Sequence, residues 1–188
     1  MEIGRGDWIE TYTGKKFYPL DPRPEDVDIK DIAHALSLTC RYNGHSKIFF
    51  SVAQHSLNCC EMAERMGMIK QVRLLCLLHD AAEAYIGDMT RPLKPMFPGF
   101  EEMENKIQKV IYEALGIKEP DRQEKEIVSR IDNIQLVTEA RVLMPFKVWG
   151  EWTKGIEPDP DTVICERTRK LVEDVFTLNA QWLIGDKP

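Results

Sequence analysis

The sequence predicts an all-α fold, a single helical bundle of about five to seven helices behind an irregular N-terminal segment. From about residue 30 onward, apolar residues recur with a period close to 3.6. Glycines punctuate these stretches, as they do at helix ends. The 188 residues with 43% hydrophobic content can bury a core without disulfides, so we expect a single domain over residues 1–188.

The elements follow from caps and breakers. Residues 1–29 contain several prolines and are expected to be irregular, although Lys16–Pro19 is compatible with a short strand or a turn. Asp28 or Asp31 caps the first predicted helix, which runs to about Thr39. Further helices are predicted over about 51–66, 70–85, 100–115, 124–143 and 162–183.

Composition excludes several functions. Lys and Arg number 25 against 31 Asp and Glu, a formal charge of −6, so broad binding to a nucleic acid polymer is not expected. Neither a transmembrane stretch nor a secretory signal is visible, so we expect no membrane association. The five cysteines include no C-x-x-C spacing, which favours reduced thiols and a cytoplasmic location.

Polar groups that are costly to bury interrupt the apolar helices. His79 and Asp80 lie in the C-terminal half of the most apolar helix, predicted over 70–85, and Glu83 follows four residues after His79 on the same helical face. Asp132 interrupts another apolar helix, and His55 lies within a third. Two imidazoles and two carboxylates from separate helices suit a divalent ion, so the cysteines are not needed as ligands.

Each of these residues alone has a simpler structural explanation. A lone histidine on a helix is more often a core or surface residue than a ligand, and Asp132 could pair with Arg130 or Arg141. The combination and its order favour a metal site.

The order of the four candidate ligands resembles the HD-domain superfamily of metal-dependent phosphohydrolases. Residues Ser51–Ser56 and Leu78–Met89 are similar to the bacterial 5′-deoxynucleotidases of that superfamily, and Arg41–His45 also fits. The short chain and the segment Asp26–Tyr42 resemble the phage dATP triphosphohydrolases. The resemblance spans about residues 26–143 and implies a helical, metal-dependent phosphohydrolase.

The resemblance also implies roles for individual residues. Glu83 matches an acid next to the attacking water, and Asp88 matches a second acid near the leaving group. Arg41 matches the arginine that holds a substrate phosphate. Tyr42 stands where relatives carry an aromatic residue, a Trp in some of them, against the base or sugar. The implied metal ligands are His55, His79, Asp80 and Asp132.

Other residues are weaker candidates. His45 is close to Arg41 in a loop and could reach the phosphate, and Lys94 could help to clamp it, although a solvated surface position is the simpler interpretation for such a lysine. Trp149 and Trp152 flank a glycine and could form an interface or a lid, which no pattern decides.

The expected function is divalent-metal-dependent hydrolysis of deoxynucleotides by attack of activated water on phosphorus. The substrate is a dNMP or a dNTP such as dATP, and the sequence leaves open which of them it is, which ion is native and which base is preferred. The alternatives are a (p)ppGpp or cyclic-nucleotide hydrolase, or a non-catalytic nucleotide sensor. Alarmone hydrolases usually have Glu-Asp where this chain has Glu83-Ala84, and a sensor would be expected to lose ligands. The resemblance implies a homo-oligomer, a dimer or larger.

Overall fold

The computed structural model describes residues 5–145 and 153–185, and it confirms the all-α fold class. The two-residue strands β1 (Ile9–Glu10) and β2 (Lys16–Phe17) form an antiparallel hairpin. Trp149 and Trp152 lie outside the described residues, among which no helix has the length and apolarity to cross a membrane. The helices are α1 (Ile29–Leu38), α2 (Val52–Arg65), α3 (Lys70–Leu78), α4 (Glu83–Ile86), α5 (Pro98–Ala114), α6 (Arg122–Leu143) and α7 (Arg169–Gly185).

Side-chain caps fix the N-termini of α1, α2 and α6. Asp28 caps α1 by accepting the backbone N–H of Lys30 at 3.0 Å. Ser51 caps α2 by accepting the N–H of Gln54 at 3.1 Å. Asp121 begins α6 with a reciprocal capping box. Each cap satisfies backbone donors that the first turn of a helix leaves unpaired.

The core lies around α2 and α3, which pack against each other, while α1 packs against α7. Leu57, Leu75 and Phe176 are among its buried side chains, each contributing roughly 1.5–3 kcal/mol. Phe17 stacks on Tyr85 with ring centroids 3.8 Å apart, which ties the hairpin to α4. The single-domain organisation of the whole chain stays a prediction.

The helix predicted over residues 70–85 is broken, and this prediction was wrong. α3 ends at Leu78, residues 79–82 form turns, and α4 begins at Glu83. The Gln108 carboxamide accepts the N–H of Ala82 at 3.1 Å and donates to the carbonyl of Leu78 at 2.8 Å. It thus separates two groups that a continuous helix would join directly. Glu83 therefore does not share a helical face with His79, contrary to the prediction.

The C-terminal helix begins at Arg169 rather than at about residue 162. The preceding segment lies across α2 and α6, because their side chains bind its backbone and side chains. The backbone N–H of Asp159 donates to Thr138 at 2.8 Å, and the Gln54 side chain donates to the carbonyl of Cys165 at 2.8 Å. These tertiary bonds replace the first turns of the predicted helix.

Candidate metal centre

Three parts of the bundle bring the predicted ligands together. His55 lies near the start of α2 and Asp132 in the middle of α6, while His79 and Asp80 follow the end of α3. The Nε2 atom of His55 lies 3.1 Å from Oδ1 of Asp132 and 3.3 Å from Nε2 of His79. The Nε2 atom of His79 lies 3.2 Å from Oδ2 of Asp80. Two ligand atoms at right angles around one ion are about 3.0 Å apart, so these separations fit a shared cation.

Both imidazole rings direct a lone pair towards the middle of this group. Nδ1 of His79 donates to the backbone carbonyl of Cys76 at 2.8 Å, and Nδ1 of His55 donates to the carboxylate of Glu139 at 2.8 Å. In the neutral rings Nε2 is then the acceptor nitrogen. Imidazole nitrogens and carboxylate oxygens therefore face each other without a proton to share. Outer hydrogen bonds of this kind orient metal-binding histidines.

The charged residues of the centre carry two more negative charges than positive ones. Asp80, Asp132 and Glu139 bring three negative charges, and Arg41 brings one positive charge, 3.8 Å from Asp80 and 3.5 Å from Glu139. His55 and Glu139 are fully buried, where uncompensated charge is very costly. One divalent cation supplies the missing charge, and the N/O ligand set suits ions such as Mn, Fe, Co, Ni or Zn.

Without a cation, protons compensate the carboxylates. Burial would lower the pKa of His79, but the charges of Asp80 and Asp132 outweigh it and raise this pKa to about 10. The pKa of His55 is also raised, because neighbouring carboxylates outweigh the effect of its burial. Burial would raise the pKa of Asp80, yet His79 holds it below the ordinary range. A metal ion must displace these protons, so its binding tightens as the pH rises.

Glu83 and Asp88 form a carboxyl pair beside the ligands. Glu83 is buried at the start of α4, and Asp88 is half-buried in the following loop, where its charge acts on Glu83. Burial, followed by the charges of Asp80 and Asp88, raises the pKa of Glu83 to about 9. Burial also raises the pKa of Asp88. Acids with raised pKa values can donate a proton near neutral pH, and can accept one when a nearby positive charge lowers the pKa.

Arg41 presents unused hydrogen-bond donors to the same space. Its side chain is buried, and its Nε has no hydrogen-bond partner among the described residues. Burial would lower its pKa, but Glu139 and Asp80 outweigh burial and raise it, so the guanidinium stays charged. Its ion pairs with those carboxylates are long, which leaves N–H groups available for phosphate oxygens.

A strained turn positions Arg41. Within Arg41–Gly44, the non-glycine residues Tyr42 and Asn43 adopt φ angles of 54° and 51°, a conformation that costs roughly 1–3 kcal/mol per residue. The hydroxyl of Tyr42 donates to the carbonyl of Leu136 in α6 at 3.0 Å and anchors the turn. Tyr42 is half-buried beside Arg41, and its contact with the substrate stays a prediction.

The last two substrate-binding candidates differ from each other. Burial would lower the pKa of Lys94, but Glu104 at 3.0 Å raises it, as do the charges of Glu83 and Asp80. Lys94 is thus paired with Glu104, and its role in phosphate binding stays a prediction. His45 is exposed, and its ring makes no hydrogen bond, ion pair or ring contact with any described residue. Its role in phosphate binding stays a prediction.

A groove of about 610 Å³ opens from the centre between α5 and α6. His79 and Asp132 border it, so it is continuous with the ligand group. Its volume is typical of small-molecule sites. The walls combine apolar, amide, hydroxyl and ammonium groups from Leu75, Asn105, Tyr112, Lys125, Val128 and Ser129.

Sequence reasoning missed three residues of this region. Glu139 follows Asp132 by seven residues, two helical turns, and this spacing could have revealed it. Cys59 follows His55 by four residues, and its Sγ lies 3.6 Å from Nε2 of His55, so leaving the cysteines out overlooked a neighbour of the centre. Gln108 has no local signal, because its role depends on how α5 docks.

Comparison with known proteins agrees with this geometry. A model of the HD-domain family matches residues 52–141, a range that includes His55, His79, Asp80 and Asp132. The chain is 39% identical over 136 residues to the uncharacterized protein YfdR of Escherichia coli K12, covering 72% of each chain. It is 36% identical over 115 residues to an uncharacterized protein of Rhodobacter capsulatus, covering 58% of this chain and 59% of that protein. The chain belongs to the HD-domain family of metal-dependent phosphohydrolases.

Proposed function

We propose that the protein hydrolyses deoxynucleotides at the phosphorus attached to the 5′ oxygen, with a divalent ion as its cofactor. One observation carries this proposal. A buried arginine, with an N–H donor unpaired among the described residues, and a groove of small-molecule size both lie beside one metal centre. An arginine of this kind fits a phosphate, and the groove fits the nucleoside attached to it.

The residues of the centre divide the chemistry. When bound, the divalent ion supplies Lewis acidity towards water and a phosphoryl oxygen. Arg41 holds phosphate oxygens through its N–H groups. The pKa of about 9 belongs to the centre without a cation, and the positive charge of a bound ion would lower it, so that the Glu83 carboxylate could orient the attacking water and accept its proton. The carboxyl group of Asp88 would donate a proton to the leaving 5′ oxygen.

The groove supports a nucleoside as the leaving group. His79 and Asp132 border the groove, which supports a substrate with its phosphate at the centre and its remainder between α5 and α6. Tyr112 and Val128 provide apolar surface for a base, while Asn105 and Ser129 provide hydrogen-bonding groups for its edge or for the sugar.

A panel of nucleotides tests the proposal. Each dNMP and dNTP is incubated with several divalent ions, and the released species are identified. We expect metal-dependent release of nucleoside together with phosphate or triphosphate, and its loss in His79→Ala. Release of triphosphate without activity on monophosphates would eliminate a dNMP as the substrate and leave a dNTP. Hydrolysis only of (p)ppGpp or cyclic nucleotides, or equal activity in His79→Ala, would contradict the proposal.

Filling the groove tests where the nucleoside lies. Ser129→Trp places an indole in the groove, and Arg130→Trp is the matched control on the next, exposed residue of α6. We expect Ser129→Trp to raise KM for deoxynucleotides much more than KM for p-nitrophenyl phosphate, which has no nucleoside. Equal changes for both substrates would place the nucleoside elsewhere.

A further inference from the structure

We propose that Cys59 gives the centre a second set of ligands that binds a thiophilic ion, such as zinc or cadmium, and closes the centre to water. This inference rests on the metal centre of the proposed function. The second set keeps two imidazoles and one carboxylate and exchanges Asp80 for a thiolate. Its members are His55, Cys59, His79 and Asp132.

The position of the thiol is set by α2. Cys59 lies one helical turn after His55, so both side chains project from one face. Its Sγ lies 3.6 Å from Nε2 of His55, and ligand atoms of His55, Cys59 and His79 all lie within 4.8 Å of one another. One ion can therefore contact all three residues.

Two of the separations match tetrahedral angles, while the 3.8 Å between Nε2 of His79 and Oδ1 of Asp132 is wider. With ordinary zinc–ligand bond lengths, tetrahedral angles place two imidazole nitrogens about 3.3 Å apart, and a nitrogen and a sulfur about 3.6 Å apart. The observed separations are 3.3 Å between the Nε2 atoms and 3.6 Å between Sγ of Cys59 and Nε2 of His55. A right angle would bring the nitrogen and sulfur to about 3.1 Å.

Asp80 can leave the ligand set because Arg41 lies 3.8 Å from its carboxylate. Asp132 stays 3.1 Å from Nε2 of His55 and completes four protein ligands. A site with four protein ligands is closed, whereas catalysis needs an open position for water. On binding, the S–H bond of Cys59 breaks, a sulfur–metal bond forms and the proton passes to solvent, with no change of oxidation state.

Because Cys59 is buried, its thiol can bind only an ion that has entered the centre. Cys59 is only 1% exposed and packs in a cluster with Ala63, Val72, Cys76 and Ile131. Soft thiolates favour zinc and its heavier relatives, while Mg and Mn favour oxygen ligands. The centre therefore discriminates between a hard ion that leaves it open and a thiophilic ion that closes it.

Cadmium titration of the metal-free protein tests the inference. The near-ultraviolet thiolate-to-metal charge-transfer band and the binding isotherms of Cd²⁺ and Mn²⁺ are recorded for the wild type, Cys59→Ala, Cys59→Ser and Cys60→Ala. Cys60 is the matched control, a buried neighbour on the same helix outside the ligand group. We expect the band at one equivalent in the wild type and in Cys60→Ala, and its absence in both Cys59 variants. Cd²⁺ affinity should fall in those variants by at least the ~10–100-fold typical of an altered ligand environment, and Mn²⁺ affinity by less.

The outcomes separate the two proposals. Stoichiometric Cd²⁺ binding to the wild type without the band overturns the role of Cys59 and leaves the metal centre intact, even if the variants do not fold. A band that persists in folded Cys59→Ser also overturns it. Failure of the wild type to bind either ion contradicts the metal centre itself, and with it the proposed function.

Discussion

The N-terminal segment and the centre both bury charged groups, but they satisfy them differently. Arg5 and Asp26 of the N-terminal segment are buried, while Asp21 and Arg23 are partly exposed. In the N-terminal segment, Arg5 donates to Asp21 and Asp26 and lies 4.0 Å above the ring of Tyr18, while Arg23 donates to Asp21. Two arginines thus face two aspartates, and donors meet acceptors. We refer to these four charged residues as the N-terminal clamp.

In the centre, acceptors meet acceptors. Three carboxylates face one guanidinium, and imidazole lone pairs point at carboxylate oxygens. A paired cluster such as the N-terminal clamp stabilises the fold by itself, whereas the centre needs an added cation or bound protons to balance its carboxylates. Groups whose charges and hydrogen bonds are not balanced by their neighbours are characteristic of functional sites.

Replacing one aspartate in each cluster is expected to separate the two clusters most clearly, in hydrolysis and in stabilisation by metal. Asp132→Asn should abolish metal-dependent hydrolysis, because it removes a ligand and one of the charges that attract the ion. Divalent ion at a hundredfold excess over Kd should stabilise the wild type by about 2.7 kcal/mol. Asp132→Asn should lose this increment.

Asp26→Asn is the matched variant in the N-terminal clamp. It should lower the free energy of unfolding by about 1–3 kcal/mol and keep the metal-induced increment. Thermal unfolding with and without Mn²⁺ measures both quantities. Loss of the increment in both variants would erase the distinction between the two clusters.

Removal of the Glu83 carboxylate should damage catalysis more than metal binding. Glu83→Gln is expected to lower kcat by about 10²–10⁴-fold, because the amide cannot accept the proton of water. Its Mn²⁺ stoichiometry should stay at one. Measurement of kcat together with metal content checks this, and a variant that loses the ion instead would make Glu83 part of the ligand set.

Two histidine–carboxylate pairs sharpen the comparison further. Glu139 accepts from Nδ1 of His55 at 2.8 Å in the centre, and Glu173 lies 3.3 Å from Nδ1 of His34 between α1 and α7. Glu139→Gln should weaken metal affinity by about 10–100-fold. Glu173→Gln should leave the affinity unchanged in the same Mn²⁺ titration, and equal losses in the two variants would contradict the role of Glu139.

The smallest expected effect concerns a carboxylate that is paired as in the N-terminal clamp. Burial would raise the pKa of Asp159, but bonds from Thr162, the backbone of Asp161 and Arg65 lower it. Its stabilisation is therefore present above the ordinary aspartate pKa near 4 and is lost as the pH falls through the lowered value. The side chain of Asp159 is 8% exposed, and Asp159→Asn should lower the free energy of unfolding by about 1 kcal/mol, the net value of one hydrogen bond.

Thermal unfolding of the wild type and Asp159→Asn checks this from pH 7 to pH 2, and the difference should shrink in acid. A difference independent of pH would show that the charge of Asp159 contributes nothing.

The sequence predicts features set by neighbouring residues better than features set by contacts between helices. Asp28, one of the two predicted caps of α1, and the convergence of the two histidines with Asp80 and Asp132 follow from residue types and order. The break after Leu78 could not be predicted, because it depends on a side chain from α5.

The late start of α7 has the same origin. The segment before it is held by α2 and α6 through contacts distant in sequence. Glu139 is intermediate, because its spacing from Asp132 is visible in the sequence but its bond to His55 depends on packing between α2 and α6.

Anomalous diffraction from crystals grown with Mn²⁺ tests the central claim most directly. We predict one strong peak between α2, α3 and α6, about 2.1 Å from Nε2 of His55 and of His79, with Asp80 and Asp132 completing the protein ligands. A map without a peak there, with these side chains turned away from each other, would contradict the account.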